Sequence, residues 1–212
     1  MSNGTFDFNV FLQDSKNTLV NPKSYFSSMK TSGGIAEPLI KAVIYGTVTG
    51  ILYLLWGLLK LGSIGGGLFG GAIGIMAFIG AIITALIGLF IGAVILLIIS
   101  SICKGNTDFE ANMRVTASLM VIMPVSAFFG FAGGISFYLG VVITLVIQVY
   151  ALWIMYHGLV ESLKCNAGTS RIVCYVLLAL IVLFTLIGMT GTRRASRMLN
   201  NSIEIMRDFD TN

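Results

Sequence analysis

The chain has 212 residues, 56% of them hydrophobic and 10% charged, with a mean hydropathy of +0.93 and a net charge of +4. A soluble domain carries about 25% charged residues and a disordered one combines few apolar residues with many charges, so both classes are excluded. With 25 glycines but only 3 prolines, collagen-like and Pro-rich chains are excluded too, which leaves an all-α, polytopic integral membrane protein.

Residues 1–38 form a polar N-terminal segment with no apolar stretch and cleavage site of the signal-peptide kind. Within it Asn21 and Pro22 supply an N-cap and a first helical residue. Tyr25, Phe26 and Met29 then share one face, Lys23 and Lys30 flank it, and Gly33-Gly34 ends the turn. This predicts an amphipathic helix near 22–32. Two placements stay open: flat on the membrane with the lysines toward acidic headgroups, or packed on the ends of the bundle.

No Asp, Glu, Lys or Arg occurs from Ala42 to Leu59, Leu61 to Cys103, Val115 to Val160, or Ile172 to Thr192. A bilayer core about 30 Å thick takes roughly 20 helical residues. The first and last runs fit one span each. The third fits two, with Pro124 and the stretch Phe131-Ala132-Gly133-Gly134 as punctuation. The second run is Gly-rich at its start and then unbroken from Ile75 to Ser100, and reads as one long span. Five spans are expected, near 39–60, 70–102, 114–132, 135–159 and 171–191, followed by a polar tail at 193–212; six spans are the alternative. The apolar runs lack the alternation of a transmembrane β-strand.

With five spans and the N-terminus inside, the inner side holds eight Lys and Arg (Lys16, Lys23, Lys30, Lys41, Lys104, Arg114, Lys164 and Arg171) and the outer side five (Lys60, Arg193, Arg194, Arg197 and Arg207). The positive-inside rule then predicts a cytoplasmic N-terminus. Cys103, Cys165 and Cys174 are too few and too widely spaced for a disulfide framework.

No ionisable group lies near the middle of any expected span; such groups mark ion and substrate paths. The candidate intramembrane polar site is Gln148 with Thr144 one turn before it. Tyr150, Trp153, His157 and Glu161 line the other face of that helix. They read either as interfacial anchors with an i,i+4 contact between His157 and Glu161, or as part of an inner-face polar pocket in which His157 and Glu161 meet Asp108, Glu110 and Arg114. Glycines four apart mark close helix contacts in lipid. Gly46/Gly50 is one such pair, and Gly66, Gly70, Gly74, Gly88 and Gly92 of the second span form a candidate helix-packing or oligomer face.

One histidine permits no histidine-based metal cluster, and neither a nucleophile elbow nor a phosphate loop is present. Neither catalytic nor metal-ligating residues are expected, and no cofactor. The basic residues form no stripe of the kind that nucleic acid requires.

The order of features resembles a known family. Asn21-Pro22 leads to Tyr25-Phe26, then Gly33-Gly34 and Glu37-Pro38 precede the first span. A Gly-rich second span leads to the loop Cys103–Phe109 and Met113-Arg114, and the third span carries Pro124 after Ser118–Met123. Gln148–Trp153 and His157-Gly158-Leu159 complete the series. Over about residues 20–191 this is similar to the Yip domain family of Rab-interacting membrane proteins, in its short prokaryotic form. The resemblance implies a five-span bundle with a cytoplasmic N-terminus. The empty midplane and abundant glycine favour a non-enzymatic scaffold that oligomerises or binds partner proteins and lipid, and Gln148 with the inner polar cluster favours the alternative, a small channel or a lipid or solute transporter. Eukaryotic relatives act in trafficking at Golgi and ER membranes and bind Rab-type GTPases. A prokaryotic chain sits in the cytoplasmic membrane without such a partner.

Overall fold

The computed structural model describes residues 7–59, 61 and 70–210. Five helical segments among them are long and apolar enough to cross a membrane: Ala36–Leu58, Phe78–Ile102, Phe109–Ile135, Phe137–Ser162 and Ala167–Gly188. The all-helical, five-span reading therefore holds among the described residues.

Two short helices precede the spans. Helix α1 (Phe8–Val20) starts at Asp7, whose carboxylate accepts from the Asn9 and Val10 amides at 2.8 and 3.3 Å. It ends at Asn21, whose amide donates to the Asn17 carbonyl at 2.8 Å. The side chain of Asn21 also accepts from Ser24 and so caps α2 (Pro22–Ser28), one residue closing a helix and opening the next. Helix α1 lies in the stretch that reads as merely polar, outside the predicted helix near 22–32.

Of the two placements open for α2, the structure adopts packing on protein. Tyr25 and Phe26 are buried among Leu96, Val115, Ile154 and Leu159, and the Tyr25 hydroxyl bonds that of Ser118 at 2.9 Å. Together α1 and α2 form a cap over one end of the bundle.

Helix α3 (Ala36–Leu58) buries Pro38, Lys41, Ala42, Tyr45, Gly46, Thr49 and Gly50, a stripe at helical spacing. A Cβ at Gly46 would stand 2.8 Å from Ala85 Cβ, and one at Gly50 2.9 Å from the Phe78 carbonyl oxygen. The pair thus lets α3 lie directly on α4 (Gly70–Ile102), which answers with Ala81, Ala85, Leu89 and Ala93. The opposite face of α4 is a ladder of Ile79, Ile83, Ile87, Ile91 and Ile95, each more than half exposed, as suits a surface wetted by acyl chains.

The third span is built from pieces. Helix α5 (Phe109–Leu119) starts at Asp108, which accepts from the Ala111 amide, and is buried from Ala111 to Ser118. It is the axis of the bundle. Pro124 has no amide hydrogen, and its ring displaces the Met120 carbonyl from the helical path. Met123 takes that carbonyl instead, at 2.9 Å. Helix α6 (Ile122–Phe128), a 3-10 turn (Phe129–Phe131) and α7 (Ala132–Ile135) follow, and the chain reverses at extended Ser136. Residues Gly133-Gly134 themselves are thus helical.

Helix α8 (Phe137–His157) returns and closes in a π turn (Gly158–Ser162). A Cβ on Gly158 would meet Val115 Cγ1 at 2.8 Å and Phe26 at 3.6 Å, so the turn makes room for the cap. Helix α9 (Ala167–Asp210) packs on α8 and the π turn. It continues as helix through the stretch expected as a polar tail. The loops at 103–108 and 163–166 meet beneath the cap. Asn106 donates to Leu163 O at 2.7 Å and Asn166 to Cys103 O at 2.9 Å, while Lys104 and Lys164 both take left-handed backbone (φ 55° and 56°).

Candidate functional site

The charged residues that the structure gathers lie where the cap meets the first and third spans. Helix α1 contributes Asp14, α3 contributes Glu37 and Lys41 one turn apart, and α5 contributes Glu110 and Arg114 one turn apart. The Lys41 and Arg114 side chains are each only 7% exposed, and a cation that deeply buried needs partners.

Each has them. Arg114 donates to Glu37 at 2.9 Å, to Glu110 at 3.3 Å, and to the carbonyls of Gly34 and Lys30 at 3.2 and 3.3 Å. Lys41 reaches the other Glu37 oxygen at 2.8 Å and Asp14 at 3.4 Å. Glu110 also accepts from the Gly34 amide at 2.6 Å. Gly33 and Gly34 carry positive φ (135° and 94°), and a Cβ on Gly33 would strike Arg114 at 2.9 Å. The glycines therefore bring the loop backbone against the guanidinium.

Beside the network, Tyr45 bonds Ser15 at 2.8 Å and packs on Phe11, the rings tilted by 46° with centroids 5.2 Å apart. A cavity of about 600 Å³ opens between α1, α2 and the start of α3, with Asp14, Glu37, Lys41 and Arg114 in its wall.

The predicted inner-face set is divided. Glu110 and Arg114 are joined. Asp108 caps α5. His157 lies edge-on to Trp153 and Tyr156, with centroids 5.0 and 5.5 Å away, and its Nδ1 is buried without a partner. Among the described residues neither His157 nor Glu161 forms an ion pair with the other three or with each other. Gln148 Oε1 is buried and unpartnered. Thr144 lines a separate crevice of about 380 Å³ with Tyr53, Ser126 and Thr185.

Of the glycine set, Gly88 has nothing within 4 Å of a Cβ, whereas one on Gly92 would meet Thr116 Cγ2 at 2.8 Å. Gly66, and the surroundings of Gly70 and Gly74, lie outside the described residues. Sequence reasoning missed Asp14, Glu37 and Lys41. The available signal was Glu37 and Lys41 at i,i+4 in the first turns of an apolar span, where an unpaired charge is costly.

The gathered features are therefore a cap, Glu37-Pro38 opening the first span, Arg114 in the third and, among the described residues, five helices long and apolar enough to cross a membrane. The family model of the Yip1 domain matches residues 16–189. The chain belongs to the Yip1 domain family. No curated protein and no solved structure matches it. In this Yip1 domain the matched region takes in the end of α1, all of α2, both charged turns and all five apolar spans, and leaves Asp14 outside it.

Proposed function

We propose that this Yip1 domain protein is a non-enzymatic membrane scaffold that oligomerises or binds partner proteins and lipid through its N-terminal face. The single observation that carries the reading is the use made of its buried charge. Asp14, Glu37, Lys41, Glu110 and Arg114 pair with one another across three helices, so they fix a surface and leave no chain of ionisable groups running toward the membrane centre. The positive-inside count supports placing that face in the cytoplasm, and the open glycine at Gly88 supports self-association along α4.

Reconstitution into liposomes tests the proposal. The scaffold reading expects ion and lipid flux equal to that of protein-free vesicles, together with site-specific crosslinks between copies or to co-purified proteins at the N-terminal face. Robust protein-dependent flux overturns it in favour of a small channel or a lipid or solute transporter, the reading that the charge-lined cavity of about 600 Å³ favours. Labelling of a cysteine placed at exposed Ser27 from the outside of intact cells would overturn the cytoplasmic orientation.

A further inference from the structure

Hydroxyl groups inside a membrane normally satisfy themselves on their own helix, because hydrocarbon offers no water to do it. Thr116, Ser118 and Thr185 do so by donating to the carbonyl one turn back, at 2.8, 3.2 and 2.8 Å. Tyr53 of α3, Ser126 of α6 and Thr144 of α8 do not. Among the described residues none of the three has a hydrogen-bond partner, and all three line the crevice of about 380 Å³ at the end of the bundle away from the cap. Thr185 of α9 lines it too, and with its hydrogen spent on Ile181 it keeps an acceptor. Four helices thus bring three unused donors and an acceptor to one place, where leaving them unpaired is costly.

The rest of the wall narrows the class of molecule that completes it. Among the described residues no Asp, Glu, Lys, Arg or His lines the crevice, while Phe129, Phe137 and Val141 do, so the ligand is uncharged and largely apolar. Phe129 and Phe137 are themselves exposed, so the mouth opens on acyl chains. Depth matters as well. Thr144 stands two turns into α8, about 10 Å from its start at Phe137. A phosphate drawn to that depth would leave its counter-ions behind, whereas a free hydroxyl and neutral ester groups can sink there. Two ester carbonyls and one hydroxyl also match the donors and the acceptor in kind, while a sterol brings a single hydroxyl. We propose that this crevice binds a neutral glycerolipid of the diacylglycerol class, its ester carbonyls accepting from Tyr53, Ser126 and Thr144 and its hydroxyl donating to Thr185. The site lies at the opposite end of the bundle from the N-terminal face, so it stands or falls independently of the scaffold reading.

The test uses the full chain in phosphatidylcholine nanodiscs that hold dioleoylglycerol as a minor component, with retained lipid measured by native mass spectrometry. Expected is an enrichment of dioleoylglycerol of about tenfold over its share of the bilayer, the size of one to two hydrogen bonds between neutral groups. Ser126→Ala combined with Thr144→Val removes two hydroxyls and little volume, touches no ion pair, and is expected to abolish the enrichment. A second measurement reads position. Trp56 packs on Phe131 with centroids 5.2 Å apart and donates to Ala127 O at 2.9 Å, beside the crevice, whereas Trp153 stands one turn before the other end of α8. In a Trp153→Phe chain, brominated dioleoylglycerol should quench Trp56 more strongly than brominated phosphatidylcholine at equal mole fraction, and the double substitution should erase the difference. Retention of dioleoylglycerol at its bulk share overturns the proposal. So does enrichment without the quenching difference, which places the lipid elsewhere, or an enrichment that survives the double substitution. Stronger retention of cholesterol, or of phosphatidic acid, when either replaces dioleoylglycerol overturns it as well.

Discussion

Arg114→Gln tests the charge network most directly. The guanidinium is 7% exposed and makes its shortest contact, 2.9 Å, to Glu37, whose side chain is 42% exposed. Removing one partner of a fully buried pair costs about 3–5 kcal/mol, whereas an exposed pair is worth about 0–1 kcal/mol. Glu37 stands between these limits, because water solvates part of the carboxylate that is left behind. The carbonyls of Gly34 and Lys30 lose their donor as well. We take about 2 kcal/mol for release of the cap, equivalent to roughly a thirtyfold rise in its open population. The loss is local, since the network holds α1 through Asp14 and the residues after α2 through the Lys30 and Gly34 carbonyls, while α3, α4 and α5 also meet through broad apolar packing. Hydrogen exchange in nanodiscs is the matching assay. Amides of α1 and α2 should exchange roughly thirtyfold faster and those of α4 at an unchanged rate. A rise of less than about threefold in the cap, which is within the scatter of independent sites, would refute the reasoning. A Glu37→Gln/Arg114→Gln coupling energy near zero would do the same.

Other expectations concern packing and pH. Gly50→Leu should part α3 from α4 and cost about 1–3 kcal/mol as overpacking, read as loss of thermal stability in detergent, because its Cβ already meets Phe78 backbone. Gly88→Leu, with open space at its Cβ, should leave thermal stability unchanged and alter only contacts between copies, read by crosslinking. Burial raises the Cys165 thiol above its ordinary range, opposed by its hydrogen bond with Ser100 at 3.4 Å. A thiol raised in this way contributes stability that is complete below the unfolded-state value, about 8.5, and is lost as the pH climbs through the folded value. Maleimide at pH 8 should therefore label Cys165 slowly in the folded protein and fully after denaturation, and Cys165→Ser should flatten the alkaline side of the stability profile. Pro124→Ala should restore the amide donor to Met120 O and straighten the third span, read as reduced hydrogen exchange across 120–124.

How much of this was legible in the sequence depended on whether the deciding partner was local. The spans were legible because hydrocarbon excludes charge, and the runs between Lys41, Lys60, Lys104, Arg114, Glu161, Arg171 and Arg193 say so without help from the fold. The start of α2 was legible because Asn21-Pro22 acts on the next turn only. The direction of its aromatic face was not, since a stripe of Tyr25, Phe26 and Met29 asks for apolar surroundings and is satisfied equally by lipid or by Val115 and Leu159. Helix α1 was hidden for a related reason. Its buried face consists of Phe11 and Thr18, too little to stand out from a polar stretch, and it is held by Tyr45 and Lys41 some 27–30 positions away. The Glu37–Arg114 pair is separated by 77 residues, and no spacing rule spans that interval.

The way α9 is attached bears on how the chain is made. Both buried clusters draw their enclosed members from Phe11 to Cys165, and α9 adds buried Ser170 and lays Val173 and Leu177 against one of them. The last span is thus a buttress along α8 and the π turn, outside the membership of either cluster. A chain shortened before Ala167 would keep every member of both clusters and lose only the cover that Val173 and Leu177 give one of them, so biogenesis asks less of the final segment than of the earlier ones.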